Sequence, residues 1–278
     1  MLTIRHLGLQ EMVFPMEVAY KEGWNPGLYD GAAFFQADPD GFFLAEQNGG
    51  MAGAISAVRC GEDLVVIGNH FVLPPFRGKG IGKALWEHAL LQAGEKTAVC
   101  NGLTEGRAFY ESYGFQGAYN VIRYGGVMFA EARHSRDVYP ACDIDFRRLA
   151  QADAVFFGAA RERVLKAWLE TPVMESVCLL KDGDMRGWGS LRRCRKGWRL
   201  GPVFARDYAC AEEMIRHLAM KTCDEWVYID IPETNVQAIR LAFAIGMAPL
   251  SARLKLFWGE RIQEPIEQIF GFTSLDIG

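Results

Sequence analysis

The stretch Val72-Leu73-Pro74-Pro75-Phe76-Arg77-Gly78-Lys79-Gly80-Ile81-Gly82 constrains the fold more than any other part of this chain. The apolar run from Leu64 to Leu73 leads into it and reads as a strand, and Ile81 to Gln92 leads out of it and reads as a helix. A strand that stops in a glycine-rich loop and restarts as a helix aims several backbone N–H groups at one place. Those groups are the unpaired donors of a helix N-terminus, and they bind anions, phosphates above all. Gly78, Gly80 and Gly82 let the backbone approach a bulky anion, because no side chain stands in the way. Arg77, Lys79 and Lys83 add positive charge. A diphosphate-bearing ligand is therefore expected at Arg77 to Lys83. Two other phosphate loops do not fit. A dinucleotide fingerprint needs Gly-x-Gly-x-x-Gly and an acidic residue ending the next strand, and the strand expected at Thr97–Asn101 ends without one. A Walker loop needs Gly-Lys-Ser/Thr, whereas Gly78-Lys79 is followed by Gly80.

The surrounding pattern is mixed α/β. Thr3 to His6 can form a strand, Leu9 to Tyr20 a helix bent or broken around Pro15, and Tyr29 to Gln36 a short helix. Phe42–Gln47, Met51–Arg59 and Leu64–Leu73 make a meander, with Asn48-Gly49-Gly50 as a hairpin turn. After the glycine loop and its helix come a strand at Thr97–Asn101, a helix at Thr104–Tyr113 and a strand at Phe115–Tyr124. The same order then returns. Ile144–Phe146 is expected as a strand and Ala154–Leu169 as helix; Ser176–Lys181, Met185–Cys194 and Trp198–Phe204 form a second meander. Ala211–Lys221 is helical, Trp226–Ile231 a strand, Asn235–Ile245 a helix and Met247–Trp258 a strand. This is duplication of a whole domain rather than a short repeat. It predicts a first domain over 1–130 and a second over 143–278, with a polar linker at about 131–142. The partly apolar tail from Glu260 is expected to pack back onto the body.

The bulk numbers exclude several classes. A length of 278 residues accommodates two domains, and 50% hydrophobic with 23% charged residues is a globular composition. A net charge of −4 speaks against a nucleic-acid partner. The first residues carry no signal-peptide core and no apolar run is long enough to span a membrane, so no membrane partner is expected. The 7 cysteines include no Cys-x-x-Cys pair, which fits reduced thiols in a cytoplasm, and the 5 scattered histidines indicate no metal site.

The element order and the phrase Val72-x-Pro74-x-x-Arg77-Gly78-x-Gly80-x-Gly82 resemble the GNAT superfamily of acyl-CoA-dependent N-acetyltransferases. A second family phrase follows at Phe109-Tyr110-Glu111-Ser112-Tyr113-Gly114-Phe115. The resemblance covers residues 1 to about 128. It implies two tandem domains, each a mixed, mostly antiparallel twisted sheet flanked by helices, and acetyl-CoA as co-substrate. The diphosphate would rest on the N–H groups of Arg77, Gly78, Lys79, Gly80, Ile81, Gly82 and Lys83. The pantetheine arm would pair with the backbone of Phe71, Val72 and Leu73, where that strand and the next splay apart. An amine would then attack the thioester directly, with Tyr110 as proton donor to the departing sulfur. The family's Asn and Ala upstream of this Tyr are Leu103 and Gly106 here.

For the base the residues leave alternatives. His70 lies two residues before Val72 and so shares its face of the strand, where it either relays the amine's proton or fills the sheet surface with a local hydrogen bond. Glu46 is a second candidate, or a solvated charge beside the turn; an ordered water is a third. In the segment that caps the acceptor pocket of family members, Trp24 and Asp30 are substrate candidates, though Asp30 equally caps the helix after it.

The second half departs from the family where binding occurs. Asp207 to Glu212 stand opposite Arg77 to Gly82, all three glycines are lost, and the Tyr position is Ala242, although Asn235 and Ala238 keep the helix framing. A degenerate GNAT-like domain is expected there, serving to wall the acceptor pocket or bury a face of the first domain. The run Arg186, Arg192, Arg193, Arg195, Lys196 and Arg199, with Trp188 and Trp198, is expected as the charged edge of a hairpin rather than a docking surface. The activity expected is N-acetyl transfer to a primary amine of a small molecule. A non-catalytic acyl-CoA sensor and a protein N-acetyltransferase are the alternatives, and a homodimer is left open.

Overall fold

The computed structural model describes residues 1–128 and 133–277. The first half runs β1 (Leu2–His6), a 3-10 turn at Leu9–Met12, α1 (Val13–Lys21), α2 (Asp30–Ala37), β2 (Phe42–Gln47), β3 (Gly50–Arg59) and β4 (Leu64–Val72). It continues through α3 (Ile81–Ala93), β5 (Thr97–Gly102), α4 (Arg107–Ser112) and β6 (Gln116–Val127). The second half runs β7 (Val138–Pro140), α5 (Phe146–Phe157), α6 (Glu162–Leu169), β8 (Met174–Lys181), β9 (Asp184–Arg193) and β10 (Trp198–Ala205). It closes with α7 (Tyr208–Ala219), β11 (Trp226–Pro232), α8 (Val236–Ala244), β12 (Ala248–Trp258) and β13 (Ile269–Gly271). Among the described residues no helix is long and apolar enough to cross a membrane.

Local chemistry accounts for the elements that frame the loop. Asn48 and Gly49 take φ 54° and 79°, the left-handed pair that a tight hairpin between β2 and β3 requires. In α3 the buried residues Ile81, Leu85, Trp86, Ala89 and Ala93 fall on one face at helical spacing and lie against the sheet. The expected strand at Ile144–Phe146 is not one: Asp145 accepts from the Arg148 N–H as an N-cap and starts α5 at Phe146. The strand is instead Val138–Pro140, paired with β8, so the latter part of the expected linker belongs to the sheet. Residues 131–132 of that linker lie outside the described residues. The expected helix at Ala154–Leu169 is two helices, because Gly158 ends α5 with φ 90°.

Both halves share one 13-stranded sheet in the order β1-β2-β3-β4-β5-β12-β6-β11-β10-β9-β8-β7, with β13 off this path beside β10. The order is symmetric about its centre and exchanges the last strand of each half. β12 pairs with β5 of the first half, β6 pairs with β11 of the second, and β6 and β12 pair with each other from Ala248↔Gly125 to Phe257↔Gln116. Neither half thus presents a free sheet edge to the other. One apolar cluster includes Phe34, Leu44 and Val66 from the first half with Trp168, Trp188 and Phe204 from the second. Phe34 of α2 stacks on Trp168 of α6 with ring centroids 6.3 Å apart.

Buried charge also joins the halves. Asp30 on α2 takes Arg192 Nε at 2.9 Å and the Gly27 N–H at 2.8 Å, and both side chains of the ion pair are almost fully buried. Asp30 is therefore a structural anion, not a free carboxylate for an acceptor. Removing it leaves an unpaired buried guanidinium, so Asp30→Ala is expected to destabilise the fold by about 3 to 5 kcal/mol, measured by urea unfolding. The basic run is not a charged hairpin edge either, since β9 and β10 lie inside the sheet. Arg192 and Arg199 are buried on Asp30 and Asp230, Arg193 meets Glu225, and Arg195 meets Glu17. Those pairs consume the positive charge that a docking surface for an acidic partner would need.

Candidate active site

The site begins where β4 and β5 part. They pair in parallel from Leu64↔Thr97 to Ile67↔Cys100, and no further, although β4 runs on to Val72 and β5 to Gly102. A bulge starts the divergence. Between Ala54 and Ser56 of β3 the partners step from Phe71 to Gly68, which puts one extra residue into β4. Asn69 sits there with φ 49°, a conformation that Asn tolerates better than most residues. Leu73 N–H donates to Ala52 O on β3 at 2.8 Å. By strand alternation the amides of Val72 and His70 face the opposite way, into the splay. Phe71 and Leu73, expected to pair with a ligand, instead turn their amides to β3, and the Phe71 side chain is buried against Val18 and Ala54.

Beyond Val72 the chain makes a short turn at Pro74–Phe76 and enters the glycine loop. Gly78 and Gly80 have φ 74° and 79°, and a Cβ at either would meet nothing within 4 Å. The first backbone bond of α3 is Ala84 N–H to Gly80 O at 3.0 Å. The N–H groups of Ile81, Gly82 and Lys83 thus stand ahead of the helical ladder. Ile81 anchors the helix start in the core, being 1% exposed. Arg77 hydrogen-bonds Val72 O at 2.9 Å, Lys79 hydrogen-bonds Pro75 O at 2.9 Å, and Lys83 lies 3.7 Å from Glu87. All three are exposed at the loop, so cations stand beside the free N–H groups on its open side, the chemistry a diphosphate calls for.

Tyr110 projects from α4 to the β5 arm of the splay. A Cβ at Gly102 would lie 2.7 Å from its hydroxyl, and one at Gly106 3.1 Å from its ring, so both glycines make room for the phenol. Burial, with Cys100 nearby, pushes the Tyr110 hydroxyl up to about 12, and it stays protonated at neutral pH. Leu103, at the family's Asn position, is 52% exposed and carries no polar side chain for a cofactor contact. His70 lines the same space from β4, with Nε2 3.0 Å from the Gly82 carbonyl. Only an N–H satisfies that carbonyl, and burial lowers the imidazole's pKa, so neutral His70 ties β4 to the start of α3. Glu46 stands elsewhere, on β2 in a surface ion pair with Arg5 at 2.7 Å. It does not line this cavity.

A cavity of about 120 Å³ opens from the splay. Trp24, His70 and Tyr110 line it from the first half, and Arg199, Asp230, Arg253, Leu275 and Asp276 line it from the second. Asp230 holds both Arg123, at 2.8 Å, and Arg199, at 2.8 Å. Arg123 also donates to the Trp24 carbonyl at 2.7 Å, which fixes the turn carrying that indole. None of these second-half residues was expected at the site; Arg199 was expected on a charged hairpin edge. Their one sequence signal is a charge inside an apolar stretch, as in Tyr228-Ile229-Asp230-Ile231 and Leu275-Asp276-Ile277. Among the described residues no group of three or more His, Cys, Asp or Glu could hold a metal ion.

In the second half the matching slot is filled by the chain itself. β10 and β11 pair only from Trp198↔Val227 to Leu200↔Ile229 before they part. β13 lies in the gap, paired with β10 at Val203↔Gly271, while Phe272 N–H bonds Asp230 O on β11 at 2.9 Å. Asn235 Nδ2 donates to Ile266 O at 2.9 Å and Ile269 O at 3.0 Å, so the retained Asn holds this segment. The α7 N-terminus carries its own anion, Asp207, which accepts from Cys210 N–H at 2.9 Å. Ala242, at the Tyr position, is buried among apolar residues that include Phe270.

The molecule thus sets a splayed mixed sheet beside a glycine-led helix N-terminus, with a protonated phenol at the fork. The chain carries two GNAT acetyltransferase domains in tandem: models described as "Acetyltransferase (GNAT) domain" match residues 38–117 and residues 149–271. It is 24% identical over 277 residues to the holothin acyltransferase of a Pseudoalteromonas species, covering 99% of this chain and 94% of that protein. Its fold is similar to that of a Pyrococcus horikoshii protein provisionally described as an acetyltransferase, with a TM-score of 0.84 at 20% identity, covering 100% of this chain and 96% of that one. A tandem GNAT protein from the clavulanic acid biosynthesis pathway is similar over 93% of this chain and 98% of its own, with a TM-score of 0.63 at 14% identity.

Proposed function

We propose that the chain is an acetyl-CoA-dependent N-acetyltransferase whose first half transfers the acetyl group to a primary amine of a small molecule. The observation that carries this is the cavity at the end of the splay, with Tyr110 on one wall and second-half side chains on the other. The glycine loop supports a diphosphate at its amides, and the Val72 and His70 amides offer backbone partners to an extended arm lying in the fork. A thioester at the fork would present its carbonyl to the His70 N–H and its sulfur to Tyr110. The phenol then protonates the departing thiolate. Walls from both halves favour a compact acceptor over a protein segment, and the paired arginines of β9 and β10 offer no docking charge for one.

The test is turnover. Acetyl-CoA is incubated with a panel of alkyl and aryl amines, including holothin, the molecule named for the Pseudoalteromonas relative. Release of CoA thiol with formation of one amide is the expected result. Tight binding of acetyl-CoA without turnover on any amine would instead make the chain an acyl-CoA sensor. A related expectation concerns the second half. Because β13 occupies its slot, calorimetry should count one acetyl-CoA per chain, and a count of two would overturn the assignment of that segment as a plug.

A further inference from the structure

We propose that the carboxylate of Asp276, brought from the second half into the cavity of the first, takes the proton from the acceptor's ammonium. This rests on the N-acetyltransferase function above and gives it a base. The acceptor class that follows is an alkylamine, which arrives as an ammonium at neutral pH.

The position of Asp276 is set by several contacts. After β13 the chain crosses from the second half's slot to the first half's splay. Asn101 Nδ2 on β5 donates to Leu275 O at 2.8 Å, and the Asn69 N–H, at the bulge of β4, donates to Asp276 Oδ1 at 3.1 Å. A Cβ on Gly68 would lie 2.8 Å from the Asp276 Cα, so only glycine at that point of β4 admits the tail. Ser274 Oγ accepts from the Asp276 N–H at 3.2 Å and steadies the turn. Among the described residues Oδ2 has no hydrogen-bond partner and Asp276 forms no ion pair, while the residue lines the cavity. The other carboxylates are committed: Asp230 to Arg123 and Arg199, Asp30 to Arg192, and Glu46 to Arg5.

The two arms of the splay divide the work. Asp276 is held at the β4 arm and Tyr110 at the β5 arm, so a thioester in the fork lies between a proton acceptor and a proton donor. Direct attack needs that arrangement, because the nucleophile enters and the sulfur leaves on different sides of the carbonyl carbon. The ammonium gives one proton to Asp276, which passes it to solvent. The neutral nitrogen forms the C–N bond, the C–S bond breaks, and Tyr110 protonates the sulfur. The second nitrogen proton restores the phenol. One ammonium and one acetyl-CoA thus yield one amide, one CoA thiol and one proton.

The charges facing Asp276 are Asp30 from α2, Arg123 from β6, Arg199 from β10, Asp230 from β11 and Arg253 from β12, with His70, Cys100 and Tyr110 neutral beside them. Burial first, and the two aspartates after it, raise the Asp276 pKa, against the Asn69 N–H and Arg123. A raised pKa makes a stronger base, and its working form is the anion. Activity therefore falls as pH drops through that pKa.

Asp276→Asn keeps the side-chain shape and an acceptor for the Asn69 N–H. With an amine that turns over in the panel above, kcat/KM at pH 7 is expected to fall about 100-fold. The deficit should shrink toward parent levels above the amine's own pKa, where the nucleophile arrives neutral and needs no base. Asp276→Glu should recover part of the loss at pH 7, and acetyl-CoA affinity and melting temperature should stay at parent values. A loss of equal size at every pH, or no loss, overturns the role of Asp276 while leaving the enzyme an acetyltransferase. Absence of turnover by the parent on every amine removes the function itself, and this role with it.

Discussion

Gly80→Glu is expected to weaken acetyl-CoA binding by at least about 100-fold while leaving the chain folded. Gly80 holds φ 79°, which costs an L-residue roughly 1 to 2 kcal/mol. The new carboxylate would stand at the N-terminus of α3, where the helix dipole and free N–H groups favour an anion, and where the diphosphate is proposed to sit. Two unit charges about 4 Å apart repel by about 4 kcal/mol at an effective dielectric of 20. That repulsion exceeds the roughly 2.8 kcal/mol of a hundredfold change in affinity, counting tenfold per 1.4 kcal/mol. The fold tolerates the side chain because a Cβ there meets no atom within 4 Å. Calorimetry with acetyl-CoA and thermal melting separate the two effects. Parent-like affinity in a normally melting variant would remove Arg77 to Lys83 from the binding site.

Tyr110→Phe is expected to lower kcat by about 100- to 1,000-fold with acetyl-CoA affinity unchanged. Phenylalanine keeps the ring that packs over Gly102 and against Trp86, whose ring centroids lie 5.1 Å apart in the parent. What it loses is the proton that the leaving thiolate needs. The hydroxyl is pushed up to about 12 by burial, so it is the phenol, not the phenolate, across the working pH range. Consequently the parent's rate should show no decline from Tyr110 ionisation across the neutral and mildly alkaline range. Single-turnover measurement at saturating acetyl-CoA reads the chemical step directly. An unchanged kcat would take Tyr110 out of the mechanism.

Much of this was legible in the chain, for reasons that differ by residue. The glycine loop was legible because local geometry alone requires its residue types: positive φ at Gly78 and Gly80 is a property of the backbone at those positions. The duplication was legible because hydrophobic period and turn residues recur in the same order in both halves. Tyr110 was legible because it stands in a phrase with its supporting residues around it. Most misassignments arose where a residue's role depends on a distant partner; one turned on a local cap. Asp30 reads as a cap or an acceptor anchor until Arg192 of β9 is seen to bury it. Arg186 to Arg199 reads as a charged hairpin edge until Arg192, Arg193, Arg195 and Arg199 are seen to find their acidic partners. Ile144–Phe146 reads as a strand because three apolar-rich residues cannot be told from a helix start without the Asp145 cap.

By itself the sequence determined a tandem α/β chain with one intact glycine loop, one phenol at the family position and a second half stripped of both. These follow from backbone conformation and side-chain chemistry within short segments. Tertiary structure alone decided that β6 and β12 are exchanged, that β13 plugs the second slot, and that the tail carries Asp276 to the bulge at Asn69. The physical reason is distance along the chain. Asp276 and Asn69 are separated by 207 positions, and no local propensity specifies a contact between them. That contact exists because the shared sheet places the second half's slot beside the first half's fork, and the segment that fills the one ends in the other.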